Sequence, residues 1–229
     1  MVIQSKISND IINLGTGIYT VTEIAKILRI PYFKVNRWLN KYWDGILSKE
    51  FKTQFSYKVD NSKIVSFHTL IEFYVTYQLY NSGVKINEII RARQELGKIT
   101  RAQFPFAQKQ VLNNIRTDGS KVFFEIGKRD FVSLDGTHQL NLLLIQDFFK
   151  NLDFDNNSLA IKFWPLGKSK SIIVDPERQF GHPVIGQSNI YPEIINSMIK
   201  AGDSKEFVGL LYNLEPNEIN DAIEYCNAA

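Results

Sequence analysis

Cysteine is almost missing from this sequence: Cys226 stands alone among 229 residues. One thiol cannot close an intrachain disulfide, and no Cys/His spacing of the zinc-binding kind surrounds it. Close to the end of an apparent helix, it reads as a small packing residue. Long apolar runs are missing too. Nothing approaches the roughly 18 consecutive apolar residues that a membrane-crossing helix needs. The opening MVIQSKISNDII has neither an apolar stretch nor a small-residue cleavage site. The expectation is a cytoplasmic protein with no signal peptide and no membrane partner.

Catalytic chemistry is equally thin. His68, His138 and His182 are scattered, with no His-Glu-x-x-His or tight carboxylate set beside them, so no metal site is expected. Asp153-Phe154-Asp155-Asn156-Asn157 resembles the start of a calcium loop, but Ser158 replaces the glycine and Trp164 stands where the closing Glu belongs. A polar turn is the better account. Gly15-Thr16-Gly17 has no preceding apolar strand and no third glycine, so it is no nucleotide fingerprint. The chain reads as a non-enzyme without cofactors.

What is present is charge, unevenly placed. The net charge is only +3, yet residues 1–130 hold 20 Lys/Arg against 11 Asp/Glu, and residues 131–229 hold 7 against 13. A basic front part suits a polyanion; an acidic rear part suits a basic partner.

At this length two or three modules are expected. Thr20-Val21-Thr22-Glu23 has the form of a helix capping box. The helix it opens carries Ile24, Ala25, Ile27 and Leu28 on one face and ends at Arg29-Ile30-Pro31, because a residue before proline avoids helical geometry. A second helix is expected over roughly Pro31 to Tyr42. At about 100° per residue, Val35, Trp38, Leu39 and Tyr42 fall in one sector and would pack inward. Phe33, Lys34, Asn36, Arg37, Asn40 and Lys41 fall outside it. Two short helices joined by a tight turn, the second polar and basic, can place that second helix in a DNA major groove. Arg pairs with guanine and Asn with adenine, so Arg37 and Asn40 are the expected base readers, with Lys34, Asn36 and Lys41 beside them. Residues 55–67, FSYKVDNSKIVSF, alternate around Asp60-Asn61 and predict a β-hairpin. It would be the wing of a winged helix-turn-helix, with Lys58 and Lys63 near its tip facing phosphate.

Two further helices are predicted between Thr69 and about Gly97, broken at Ser82-Gly83. Their aromatic surface fits either a dimer contact or burial within the subunit. Farther on, Lys121–Ile126, Phe131–Leu134, Ala160–Trp164 and Ser171–Val174 read as short strands, and Leu140–Asn151 as a helix. The fold class is α+β, mainly α. It divides into an N-terminal part over 1–110, a small α+β linker module over 111–170 and a three-helix unit over 171–229.

GIYTVTEIAKILRIPYFKVNRWLNKY, then SFHTLIEFYVTYQLYNSGVKINEIIRARQEL and FPFA, resembles the MerR-like N-terminal region of a group of VapB-type antitoxins. The stretch from Ile172 to Cys226 resembles an antitoxin-associated domain of unknown function; Asp175, Pro176, Gly181, Pro183, Val184, Ile185, Ile190, Ala201, Gly202, Leu214, Glu218, Ile219 and Ala222 match its pattern. Where that pattern usually has a basic residue, this chain reads Gln187-Ser188-Asn189-Ile190. The resemblance implies a DNA-binding antitoxin that represses its own operon through operator DNA, neutralises a PIN-like ribonuclease toxin, and assembles as a homodimer or a larger toxin-antitoxin complex. It also implies a small three-helix, helix-turn-helix-like C-terminal unit, and the local signals agree: Gly202 can close one helix, Asp203-Ser204-Lys205-Glu206 can cap the next and Pro216 can open the last. A stand-alone MerR-like transcriptional regulator is the alternative.

Overall fold

A computed structural model describes residues 17–117, 122–126, 130–133 and 149–227. Gly15-Thr16, Lys121, Gly127–Arg129, Leu134 and His138 lie outside these residues, as does nearly all of the helix expected near Leu140–Asn151. The fold is α+β and mainly α: helices carry more than half of the described residues, and the strands form small antiparallel sheets.

Strand β1 (Tyr19–Thr20) leads directly into α1 (Val21–Leu28). The capping box forms: Thr20 Oγ1 accepts from the Glu23 amide at 3.2 Å, and Glu23 Oε2 accepts from the Thr20 amide at 2.7 Å. Arg29 closes α1 in the left-handed region at φ 56°. Ile30 is buried, and Pro31 precedes α2 (Tyr32–Trp38).

The helix expected to stop near Tyr42 does not stop there. It widens into a π-helical segment, Leu39–Leu47, and tightens again as α3 (Ser48–Phe51). Ser48 N–H donates to the Trp43 carbonyl five residues back. π-Helical turns are rare and short because their bonding geometry is poorer. Here the wide turns bury Tyr42, Trp43 and Leu47 and leave Ile46 outside. Gly45 permits this: a Cβ there would lie 2.9 Å from the Asn40 carbonyl oxygen.

The predicted hairpin forms from β2 (Ser56–Val59) and β3 (Ser62–Val65), with Asp60 at φ 51° in its turn. Lys58 sits directly across from Lys63. β3 also pairs with β1, giving the sheet order β1-β3-β2 and fastening the hairpin beside α1. Helices α4 (Phe67–Asn81) and α5 (Ile86–Thr100) follow. Leu70, Ile71, Phe73, Tyr74 and Leu79 of α4 are buried within the subunit. Trp43 stacks on Phe73 with ring centroids 4.3 Å apart.

A short 3-10 turn (Pro105–Ala107) and α6 (Lys109–Asn114) lead to a three-stranded sheet of β4 (Ile115–Thr117), β5 (Val122–Ile126) and β6 (Asp130–Ser133). A hairpin of β7 (Leu152–Phe154) and β8 (Ala160–Phe163) comes next. The Asp155–Leu159 stretch between them is a polar turn, in which Asp155 Oδ1 accepts from the Leu159 amide at 2.7 Å. One apolar core, from Tyr19 to Val174, runs through α1 to α6, the π-helical segment, the 3-10 turn and strands β1, β3, β4, β5, β7 and β8.

A second, smaller core lies in the C-terminal part, among Ile172, Ile185, Ile195, Val208, Leu214, Ile219, Ala222 and Tyr225. The two-stranded sheet β9 (Ile172–Ile173) and β10 (Val184–Ile185) supports α7 (Pro192–Ala201), α8 (Lys205–Tyr212) and α9 (Pro216–Asn227). Gly202 closes α7 at φ 104°, the Ser204 hydroxyl caps α8 by accepting from the Phe207 amide at 3.1 Å, and Pro216 opens α9.

Candidate nucleic-acid interface

The polar side of α2 and the π-helical segment is accessible along its length. Arg37, Asn40 and Lys41 are exposed, Lys34 and Asn36 are half-buried, and Phe33 is 66% exposed. Val35, Trp38, Leu39 and Tyr42 are buried against the core, so the inward sector falls where the helical period puts it.

The cations of this face are held differently. Lys34 Nζ sits 4.3 Å over the Tyr80 ring and 5.5 Å over that of Tyr77, which pins its charge to the α4 side. Lys41 Nζ lies 5.1 Å over the Tyr42 ring. Lys63 reaches from the hairpin to Asp44 Oδ2 at 2.5 Å and Asn40 Oδ1 at 2.6 Å. Ser56 donates to the same Asp44 oxygen at 2.8 Å, so both hairpin strands are laced to the π-helical segment. Lys63 therefore acts as a strut between hairpin and helix. Asn40 is tied at both ends, because its amide also donates to the Asn36 carbonyl at 2.7 Å and to Asn36 Oδ1 at 2.8 Å. Arg37 and the exposed Lys58 make no hydrogen bond or ion pair with any described residue.

A buried ion pair backs the face from below. Glu72 on α4 and Arg93 on α5 are both fully buried, with Nη2 to Oε2 at 3.0 Å. Glu72 Oε2 also accepts from Trp43 Nε1 at 3.0 Å, and Arg93 donates to the Gln103 carbonyl at 2.5 Å. The guanidinium lies between the Phe51 and Phe55 rings, 5.2 and 5.1 Å from their centroids. Burial drives the Glu72 carboxyl upward from its ordinary pKa, against the opposing pull of Arg93 and Trp43. This network ties the π-helical segment, α3 and Phe55, just before β2, to α4 and α5. Reading the sequence alone missed it: Glu72 and Arg93 sit on ordinary helices 21 residues apart, and only packing brings them together.

The C-terminal part docks on α1, the helix that precedes the reading face. Ile18 N–H donates to the Phe180 carbonyl at 3.0 Å, Lys26 pairs with Glu193 at 2.5 Å, and His182 lies 3.4 Å from Glu23. A Cβ on Gly181 would fall 2.0 Å from the Tyr19 hydroxyl, so only glycine permits this approach, at φ 89°. Tyr19 is fully buried, and burial holds its phenol far above the ordinary range. The loop at Gln187–Ile190, where the resemblance leads one to expect a basic residue, is gripped by Arg178 instead. Its guanidinium donates to the Gly186 carbonyl at 2.8 Å, to the Ser188 carbonyl and to Asn189 Oδ1 at 3.3 Å.

The same unit also leaves apolar side chains in the open. On α8, Phe207, Leu210 and Leu211 are exposed, Leu210 by 87%. Among the described residues no group of His, Cys, Asp and Glu is placed to hold a metal ion, and no helix is long and apolar enough to cross a membrane.

Residues 172–226 match a domain family described as a protein of unknown function, DUF433. Along 227 residues, 90% of this chain and 92% of the relative, the sequence is 19% identical to a Mycobacterium tuberculosis protein named "Putative antitoxin VapB45". The crystal structure of Rv2018 from Mycobacterium tuberculosis superposes with a TM-score of 0.65 at 16% identity, covering 90% of this chain and 96% of that one. The chain thus carries this domain of unknown function at residues 172–226 and shares its overall fold with the Rv2018 structure.

Proposed function

We propose that this chain is the antitoxin of a toxin-antitoxin pair: a non-enzymatic, cytoplasmic protein that binds its own operator and neutralises a PIN-like ribonuclease. The observation that carries the antitoxin assignment is the likeness to a named antitoxin along nine-tenths of the chain, from the helix-turn-helix to the C-terminal helices. Physical support comes from the two ends. In the N-terminal part, a MerR-like winged helix-turn-helix over 1–110, α2 presents a polar, cationic face, braced by the Lys63 strut and backed by the Glu72–Arg93 pair. DNA affinity would arise mainly from lysine and arginine contacts to phosphates, and sequence choice from α2.

In the C-terminal unit, over 171–229, the exposed Phe207, Leu210 and Leu211 lie among acidic residues: residues 203–227 hold six Asp/Glu and a single Lys. An exposed apolar patch on a net acidic segment fits a basic protein surface. The toxin is the partner assigned to it. The module over 111–170 connects the two functions, and a homodimer would place two reading helices on a two-fold operator.

Co-expression with a neighbouring small nuclease gene, followed by size-exclusion chromatography and a growth assay, tests the reading. A co-eluting complex that abolishes toxicity is the expected result. Salt-sensitive, sequence-selective binding to the chain's own promoter is expected alongside it. Promoter binding without any toxin partner would replace this reading with a stand-alone regulator. The absence of both would overturn it.

A further inference from the structure

We propose that Phe33 reads thymine, its ring meeting the C5-methyl group of a thymine in the major groove about two base pairs from the base contacted by Arg37. This rests on the DNA-binding reading above and adds a specificity residue to it. The positions along α2 supply the first reason. Phe33, Arg37 and Asn40 follow one another at helical spacings of four and three residues, so they share one outward stripe. All three are exposed. A phenyl ring left 66% exposed among polar neighbours does nothing for the fold's own core.

The second reason is what the rest of the stripe is already doing. Adenine recognition requires both the amide nitrogen and the carbonyl oxygen of an asparagine. Those of Asn40 are committed to Asn36 and Lys63. Lys34 is drawn to Tyr80 on the other side. The stripe is left with one guanidinium and one phenyl group that have no polar or ring partner among the described residues. In the major groove those two groups have distinct complements: the O6/N7 edge of guanine for the guanidinium, and the thymine methyl group for the ring.

Spacing then follows from geometry. Four residues of helix rise about 6 Å, and stacked base pairs rise about 3.4 Å each. With the helix lying along the groove, the two contacts fall about two base-pair steps apart. The preferred half-site should contain a guanine and a thymine at that separation.

The test uses the full chain. Duplexes are selected from a random library, and each thymine of the selected site is then replaced singly by uracil, which deletes only the methyl group. At one position, about two base pairs from the guanine that Arg37→Ala ceases to discriminate, uracil should weaken wild-type binding about three- to fivefold, the scale of one buried methyl group. Phe33→Ala should bind thymine and uracil duplexes equally, and Phe33→Leu should keep part of the difference. Because Phe33 is exposed, these variants should retain the wild-type unfolding midpoint. Selective binding with no uracil effect anywhere, or the same uracil penalty in Phe33→Ala, would overturn the thymine contact and leave DNA binding standing. Failure to select any site would overturn the DNA-binding reading itself, and this inference with it.

Discussion

Replacing Glu72 with alanine should be among the most damaging single changes in the N-terminal part. The carboxylate and the Arg93 guanidinium are each fully buried, so truncating one partner strands a desolvated charge. Breaking buried pairs in this way costs about 3–5 kcal/mol. The position also removes the acceptor for Trp43 Nε1, which loosens the π-helical segment under the reading face. For a chain of this size, each kcal/mol lowers the unfolding temperature by about 2–4 °C, so a drop of about 6–20 °C is expected. Urea titration followed by tryptophan fluorescence reads the loss directly, since Trp38 and Trp43 lie in the affected core. The paired change Glu72→Leu with Arg93→Met should recover most of it, because a well-packed apolar pair need not be weaker than a buried ion pair. A loss below about 1 kcal/mol in Glu72→Ala, or a double variant as unstable as the single, would refute the claim that this charge pair holds the scaffold.

Gly45→Ala should destabilise by about 1–3 kcal/mol through the contact with the Asn40 carbonyl, whereas helix propensity alone predicts a gain near 1 kcal/mol; the sign of the shift in urea midpoint decides between them. Burial lowers the His68 pKa below its ordinary value while its ring bonds the Ala160 carbonyl at 3.2 Å. Below about pH 6.5, the unfolded chain therefore takes up a proton that the folded chain refuses, and stability falls as pH drops until the folded pKa is passed. A His68→Phe variant should flatten that slope in urea midpoints measured from pH 7 to pH 5, and an unchanged slope would count against it. Gly181→Ala should cost about 2 kcal/mol or more by forcing the Phe180–Gly181 loop off Tyr19, seen as faster proteolysis between the N-terminal and C-terminal parts; an unaltered cleavage pattern would contradict it. Arg37→Ala should lose about 1–3 kcal/mol on the selected operator and little on random DNA, while Lys58→Ala should weaken all sequences alike and reduce the salt slope by about one. Gel shifts at several salt concentrations separate these outcomes, and equal losses on both DNAs for both variants would remove the assigned roles.

Local signals by themselves determined a good deal. The Thr20–Glu23 capping box, the Arg29-Ile30-Pro31 break, the Asp60-Asn61 hairpin and the Gly202, Ser204 and Pro216 boundaries all depend on a few neighbouring residues. Each formed where its side-chain chemistry directs. The inward sector of α2 was legible for the same reason: it follows from helical periodicity.

Tertiary structure decided what those signals could not. A π-helical turn has no periodic signature strong enough to announce itself, and Leu39–Leu47 adopts one because Trp43 and Leu47 find space in the core that Gly45 allows the backbone to reach. The occupation of Asn40 and Lys63 depends on a hairpin 23 residues away, and the Glu72–Arg93 pair on two helices folding together. Both are distance relations across the chain, which composition and spacing do not encode. Residue types therefore predicted which side chains face outward, but only packing determined which of them, Arg37 and Phe33 foremost, were left free to meet something else.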